Sequence, residues 1–292
     1  TGIYPTKATI QVDNDPMRLG KRPPVDMPIL GDVTVTAQQL AAALDETSLA
    51  GTDQRDELAE RRSLWRTENT NRLSENNAKG ISAAALFDSM TRLTPADAVI
   101  AVDVGNNTYS FGRYFEPAAN QRVLMSGYLG SIGFSFPAAM GAWAATQEDG
   151  PYTGRKVVSV SGDGGFGQYA MEFTTAVKYG MNITHILMNN AELGKITKEQ
   201  KAAEFAVWQT SLVNPSFAAF ARACGGMGVR VKKREDLDDA IRAAIAHEGP
   251  SLVEVMTDAE TGKPAEAAEA EAEAAPMEDD AVDEDGDTEM QQ

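Results

Sequence analysis

The chain has 292 residues, 42% of them hydrophobic and 7% aromatic, enough for one large or two ordinary domains with a buried core. Its formal charge of −17 is uneven: residues 259–292 hold thirteen acidic side chains and one lysine, a local −12, while residues 1–258 carry −5 from 25 basic and 30 acidic groups. An acidic surface without a basic stripe excludes nucleic acid as a partner, and one cysteine, Cys224, excludes an internal disulfide framework.

No apolar run reaches the roughly 18–20 residues that span a bilayer, and no signal-peptide pattern is visible. The chain opens at Thr1 inside what reads as a strand-bearing unit, so the natural start is expected upstream. The cytoplasm is the expected compartment.

Residues 8–12 alternate like a short strand and end on the turn Asp13-Asn14-Asp15-Pro16. A loop, strand and loop follow through Asp32, and Thr36 is a plausible N-cap for a helix over 37–44. Residues 1–48 are too few for their own core and read as the end of a domain that began earlier. Residues 49–79 are strongly polar and read as a linker helix and loop, with Leu58, Leu64 and Trp65 as its apolar markers.

From Gly80 the pattern changes. Helix 82–92, capped by Ser82, precedes strand 98–104; a loop passes Phe111 to Phe115, and a short strand follows at 122–125. Pro137 starts an Ala-rich helix to about Ala145. Strand 156–161, helix 168–179, strand 183–188, helix 215–223, strand 228–231, helix 235–247 and strand 251–256 complete residues 80–258. Strands that are continuous apolar runs, alternating with helices, predict an α/β doubly wound parallel sheet with helices on both faces. In such sheets ligands sit beyond the carboxyl ends of the strands. The polar loops after strands 98–104, 156–161 and 183–188 all fall there. Residues 259–292 read as a disordered acidic tail, since Ala, Glu and Asp offer too little apolar area to offset ordering entropy.

The central stretch is Ser161 to Gln200. Gly162-Asp163-Gly164-Gly165-Phe166-Gly167 satisfies G-x-G-x-x-G after a strand, which raises a dinucleotide site. That reading requires a carboxylate about 20 residues on, where Leu187-Met188-Asn189-Asn190 has none, and it puts the charge of Asp163 against a bare pyrophosphate. A metal-bridged diphosphate accounts for both facts. A divalent ion such as Mg2+ takes oxygen ligands and shares them with phosphates. Asp163, the amide oxygen of Asn190 and the backbone carbonyl of Glu192 can supply three, while Gly162, Gly164 and Gly165 let backbone approach the phosphates.

GDG, twenty-four residues, then NN resembles the motif of thiamine diphosphate-dependent enzymes. Asp103-Val104-Gly105-Asn106-Asn107 resembles that family's loop at the aminopyrimidine side of the cofactor, and the stretch Gly127 to Ala139 resembles its GxxGxxGFxxPAA segment. Gly130, Ser131 and Ile132 then border the cofactor, with Ile132 as the apolar wedge between its two rings. Thr9 to Asp32 resembles the end of the middle domain in the pyruvate oxidase and acetolactate synthase group.

The resemblance implies thiamine diphosphate with Mg2+, a 2-oxo acid substrate such as pyruvate, and a homo-oligomer, dimer or tetramer. It also implies a pyrimidine-binding domain, in the same or another chain, that carries an activating glutamate. FAD is a further cofactor of the group for which this chain offers no support. Ile196 to Gln200 looks like pyruvate oxidases, where an acidic residue at the position of Glu199 reaches the active site; a solvated helix carboxylate is the other reading of Glu199. Acetolactate synthase-type carboligation and a non-catalytic cofactor-binding module are the alternatives. His185 reads as a core histidine, His247 as a helix cap, and Phe217, Phe220 and Met227 as packing residues.

Overall fold

The computed structural model describes residues 8–21, 25–47, 51–73 and 80–258. The expected polar loop beyond residue 73, part of the loop near residue 23 and the acidic tail lie outside them. Two units, Thr1–Ser63 and Leu64–Gln292, divide the chain.

In the first unit, β1 (Ile10–Asp13) and β2 (Met27–Leu30) pair in parallel, and α1 (Val33–Asp45) follows. The helix starts one turn earlier than the Thr36 cap predicts. Asp32 is the better cap, because its Oδ1 accepts the Thr34 and Val35 N–H groups at 2.9 and 3.0 Å. No residue of α1 is buried. α2 (Arg55–Leu73) begins in this unit and ends in the second, where Leu73 packs against the core.

The second unit alternates helix and strand as the apolar runs predict. Its elements are α3 (Ala83–Leu93), β3 (Val99–Val102), α4 (Asn106–Tyr114), β4 (Arg122–Met125), α5 (Ser135–Thr146), β5 (Val157–Gly162), α6 (Asp163–Tyr169), α7 (Glu172–Lys178), β6 (Ile183–Asn189), α8 (Gly194–Ala202), α9 (Phe217–Ala223), β7 (Met227–Val231), α10 (Leu237–Ala246) and β8 (Ser251–Met256). Among the described residues the strands form one all-parallel sheet in the order β4-β3-β5-β6-β8-β7. Successive residues of β3 face opposite cores: Ile100 and Val102 join α3, α4 and α10, whereas Val99 and Ala101 join α5, α6, α7 and α9. Burial on both faces is why the strands read as unbroken apolar runs.

Two local expectations fail for tertiary reasons. Residues 111–115 read as loop, yet Asn106–Tyr114 is helical, because Phe111 is driven into the core. It meets Phe87 edge-on at 5.7 Å and stacks on Phe115 at 4.6 Å. The single helix expected over 168–179 is two, and the first starts at Asp163, where Phe166 packs among Phe136, His185 and Phe217. Burial there overrides the low helix propensity of the glycines.

α9 lies so close to β7 that a Cβ on Gly228 would stand 2.0 Å from the Ala218 carbonyl oxygen. Backbone cannot yield as a side chain can. We expect Gly228→Ala to lower stability by about 1–3 kcal/mol or more, read as a lower denaturation midpoint at constant slope.

The sheet order fixes where a ligand can enter. From β3 the chain steps outward to β4, then returns to β5 on the other side of β3. The connections leaving β3 and β5 therefore diverge, and a crevice opens between them at the carboxyl ends.

Candidate functional site

A cleft of about 400 Å³ occupies that crevice. One wall is the β3–α4 turn, Val104 to Asn107, with Gly130 and Ile132 beside it. The floor is Gly162 to Gly165 at the start of α6, and the far wall runs from Met188 and Asn190 to Glu192 and Ile196. The sequence-predicted residues Gly105, Asn106, Asn107, Gly130, Ile132, Gly162, Asp163, Gly164, Gly165, Asn190 and Glu192 all line it.

Ser131 and Glu199 do not. The Ser131 N–H donates to Ser126 Oγ at 3.2 Å, and Glu199 is exposed on α8, ion-paired with Lys195 one turn earlier.

Asp163 is buried at 3% exposure. Its Oδ1 accepts the Gly164 N–H at 2.9 Å; its Oδ2 accepts the Ala191 N–H and the Asn214 amide, both at 2.7 Å. Burial pushes its pKa up, these donors pull it back, and no lysine or arginine pairs with it among the described residues. The two asparagines part company. Asn189 turns inward, where its Nδ2 donates to the buried Glu254 at 2.8 Å, and Asn190 lines the cleft. Between them and Glu192, Ala191 takes φ = 56°, a left-handed conformation that folds the strand end back over Asp163.

Two of the motif glycines also serve packing. A Cβ on Gly164 would lie 2.6 Å from Leu193 Cδ2, and one on Gly165 would lie 2.2 Å from Asp103 Oδ2. Gly162 meets only Asn107 Oδ1 at 3.8 Å, so its open side faces the cleft.

Asp103 ties the near wall together. Its Oδ1 accepts three N–H groups, from Val104 at 2.8 Å, Gly133 at 2.8 Å and Phe134 at 3.0 Å, and its carbonyl accepts the Asn107 amide at 2.8 Å. Oδ2 is buried without a partner. Burial pushes its pKa up to about 6 against those donors.

On α8, Lys198 donates to Asn106 Oδ1 at 3.1 Å, and burial lowers its pKa. Ile196 lines the cleft and is exposed, and the loops that carry cleft residues also expose Tyr128 and Leu129 beside Gly130.

The bland expectations for other residues are met. His185 is fully buried between Ser159 and Ser161, neutral with its pKa pushed down to about 3 by burial. His247 is the C-cap of α10, and Phe217 belongs to the core.

The donors suit a hard cation. A buried carboxylate without a basic partner, Asp163, and the side chain of Asn190, whose Oδ1 accepts the Glu192 N–H at 3.2 Å, line the same cleft. Among the described residues no group of three His, Cys, Asp or Glu stands together as a metal site. Sequence reasoning missed Asn214, Glu254 and Lys198, and it quoted Asp103 without giving it a role.

Residues 103–255 match the family described as thiamine pyrophosphate enzyme, C-terminal TPP binding domain. The chain is 32% identical over 252 residues to YdaP of Bacillus subtilis (strain 168), a protein provisionally named as thiamine pyrophosphate-containing; the match covers 85% of this chain and 42% of that one. It is 29% identical over 235 residues to the catabolic acetolactate synthase of Raoultella terrigena, covering 80% of this chain and 40% of the relative. Against the acetolactate synthase isozyme 3 large subunit of Escherichia coli (strain K12) it is 27% identical over 244 residues, 82% and 41%. The chain thus spans about two fifths of the length of these relatives. No helix among the described residues is long and apolar enough to cross a membrane.

Proposed function

Because this chain belongs to the thiamine pyrophosphate enzymes, through that family's C-terminal cofactor-binding domain, we propose that it binds thiamine diphosphate with Mg2+ in the β3/β5 cleft. There it serves the decarboxylation of pyruvate or a related 2-oxo acid, in the manner of a pyruvate oxidase. The observation that carries this reading is the Asp163 carboxylate, buried on the cleft floor without a cationic partner.

Asp163, Asn190 and the Glu192 carbonyl would hold the ion, and backbone N–H groups at the start of α4 and α8 would be available to a diphosphate. Gly105 to Asn107 and Gly130 to Ile132 hold the organic part, with Ser131 in the same loop. The apolar side chains of Ile132, Met188, Leu193 and Ile196 keep water from the reacting centre. When bound, thiamine diphosphate supplies an electron sink for the pair released as the carboxylate leaves. Lys198, half-buried and hydrogen-bonded at the cleft wall, supports an anionic substrate. Glu199 lies outside the cleft lining, paired with Lys195, which does line it, and in this reading reaches substrate from there.

Exposed apolar side chains at and beside the cleft, Ile196, Tyr128 and Leu129, support a pyrimidine-binding unit seated there, in the same or another chain of a homo-oligomer. A second reading, acetolactate synthase-type carboligation, is favoured by the names of two of the relatives. Calorimetric titration with thiamine diphosphate in Mg2+, and again with chelator, tests the site: binding is expected only with the ion. Binding that survives chelation would refute it. With pyruvate as substrate, decarboxylation dependent on an electron acceptor supports the oxidase reading, and acetolactate formation supports the carboligase.

A further inference from the structure

The segment between β6 and α9 makes an excursion from the site and returns to it. It leaves at Asn190, carries α8, and comes back alongside its own start: the Leu193 N–H donates to the Thr210 carbonyl at 2.8 Å, and the Leu212 N–H donates to the Ala191 carbonyl at 2.7 Å. Two residues later stands Asn214. Its single amide nitrogen donates to Asp163 Oδ2 at 2.7 Å and to Asn189 Oδ1 at 2.9 Å. Asn189 is in turn held by Glu254, which is fully buried and also accepts the Ala218 N–H at 3.0 Å.

We propose that Asn214 is a positioning residue for the metal: its amide fixes the Asp163 carboxylate and closes the 190–214 excursion over the cleft, so that ion binding and closure of the excursion are coupled. This rests on the metal-diphosphate reading of the cleft. Both amide hydrogens are committed, one to the carboxylate and one to the asparagine that ends β6. The carboxylate therefore cannot rotate without breaking one of the contacts that hold residues 210–214 at the site. Glu192, a third member of the proposed ligand set, sits inside the same short ladder, opposite Ser211. One side chain thus ties together the two strand ends and the returning chain.

The test is Mn2+ binding, followed by the paramagnetic signal of free manganese in the presence of thiamine diphosphate, on protein verified as folded by circular dichroism. Wild type is compared with N214A, with N214L, which keeps the volume without the donors, and with D163A. Groups that orient a metal ligand typically contribute tenfold to a hundredfold in affinity. N214A and N214L are each expected to bind Mn2+ about 10- to 100-fold more weakly, and D163A to lose binding. Should both Asn214 variants bind as wild type while D163A fails, the inference is overturned and the site reading stands. Should D163A bind as wild type, the site reading itself falls. If the Asn214 variants do not fold, hydrogen exchange on the wild-type chain decides: Mn2+ with cofactor is expected to slow exchange of the Ala191 and Leu212 amides, and unchanged rates overturn the coupling.

Discussion

Asp163→Ala will raise the dissociation constant for thiamine diphosphate in Mg2+ at least about a hundredfold. Residues that merely orient a metal ligand are worth about 10–100-fold, so a direct oxygen ligand should reach the top of that range, about 2.7 kcal/mol. The loss should be specific to binding, because two opposing terms act on the metal-free protein. Removing the carboxylate takes an acceptor from the Gly164 and Ala191 N–H groups and from one hydrogen of the Asn214 amide. Each buried donor left unpaired costs about 1–3 kcal/mol, although Asn189 Oδ1 still accepts from Ala191 and Asn214. It also removes a buried charge that has no cation to offset it, which is why burial pushes the Asp163 pKa up. Calorimetry on the variant and a parallel melt without ligand separate the two effects. An unchanged dissociation constant would remove Asp163 from the site.

Asp103→Asn should flatten the pH dependence of stability between about pH 4 and pH 7. The folded pKa of Asp103 is pushed up to about 6, above its ordinary value of 3.8. A carboxyl raised in this way contributes stability that is fully present below the unfolded pKa and is lost as pH rises through the folded one. About two units correspond to roughly 3 kcal/mol. Asparagine keeps an oxygen for the N–H groups of Val104, Gly133 and Phe134 and cannot ionise. Asp103→Ala keeps no acceptor, leaves these donors unpaired, and should cost on the order of 3 kcal/mol at every pH. It should also loosen the turn next to Ile132 and weaken cofactor binding. Urea denaturation across the pH range measures all three proteins. A wild-type minus Asp103→Asn difference that does not vary with pH would contradict the assignment.

Much of this was legible in the residues themselves, for identifiable reasons. Strands such as Val157 to Ser161 are buried on both faces, so their composition announces a covered parallel sheet. The Gly162-Asp163-Gly164 turn and the Asn189-Asn190 pair are local, and their chemistry shows in their residue types. What escaped was long-range. Asn214 meets Asp163 across 51 positions, from an Asn-Pro-Ser stretch that reads as an ordinary loop. Asp103 finds Gly133 thirty residues on. α4 is helical because Phe111 has a pocket to fill, and nothing in Asn106 to Ser110 announces that pocket. Glu199 matched by position, yet its side chain turns along α8 to Lys195.

β3 and β5 are direct neighbours, although β4 and α5 intervene between them in the chain. The two walls of the cleft therefore meet only after a long loop has closed, the kind of pairing that comes slowly in folding because its entropy is lost before its contacts form. A ligand held by both walls acts on that same seam. It binds only the assembled sheet, so by mass action it adds RT ln(1 + [L]/Kd) to the work of separating β3 from β5. The cofactor would then serve the chain as a removable clasp across a junction whose paired residues, such as Val99 and Val157, lie far apart in the chain, and the two strands would lose mechanical independence whenever the site is filled.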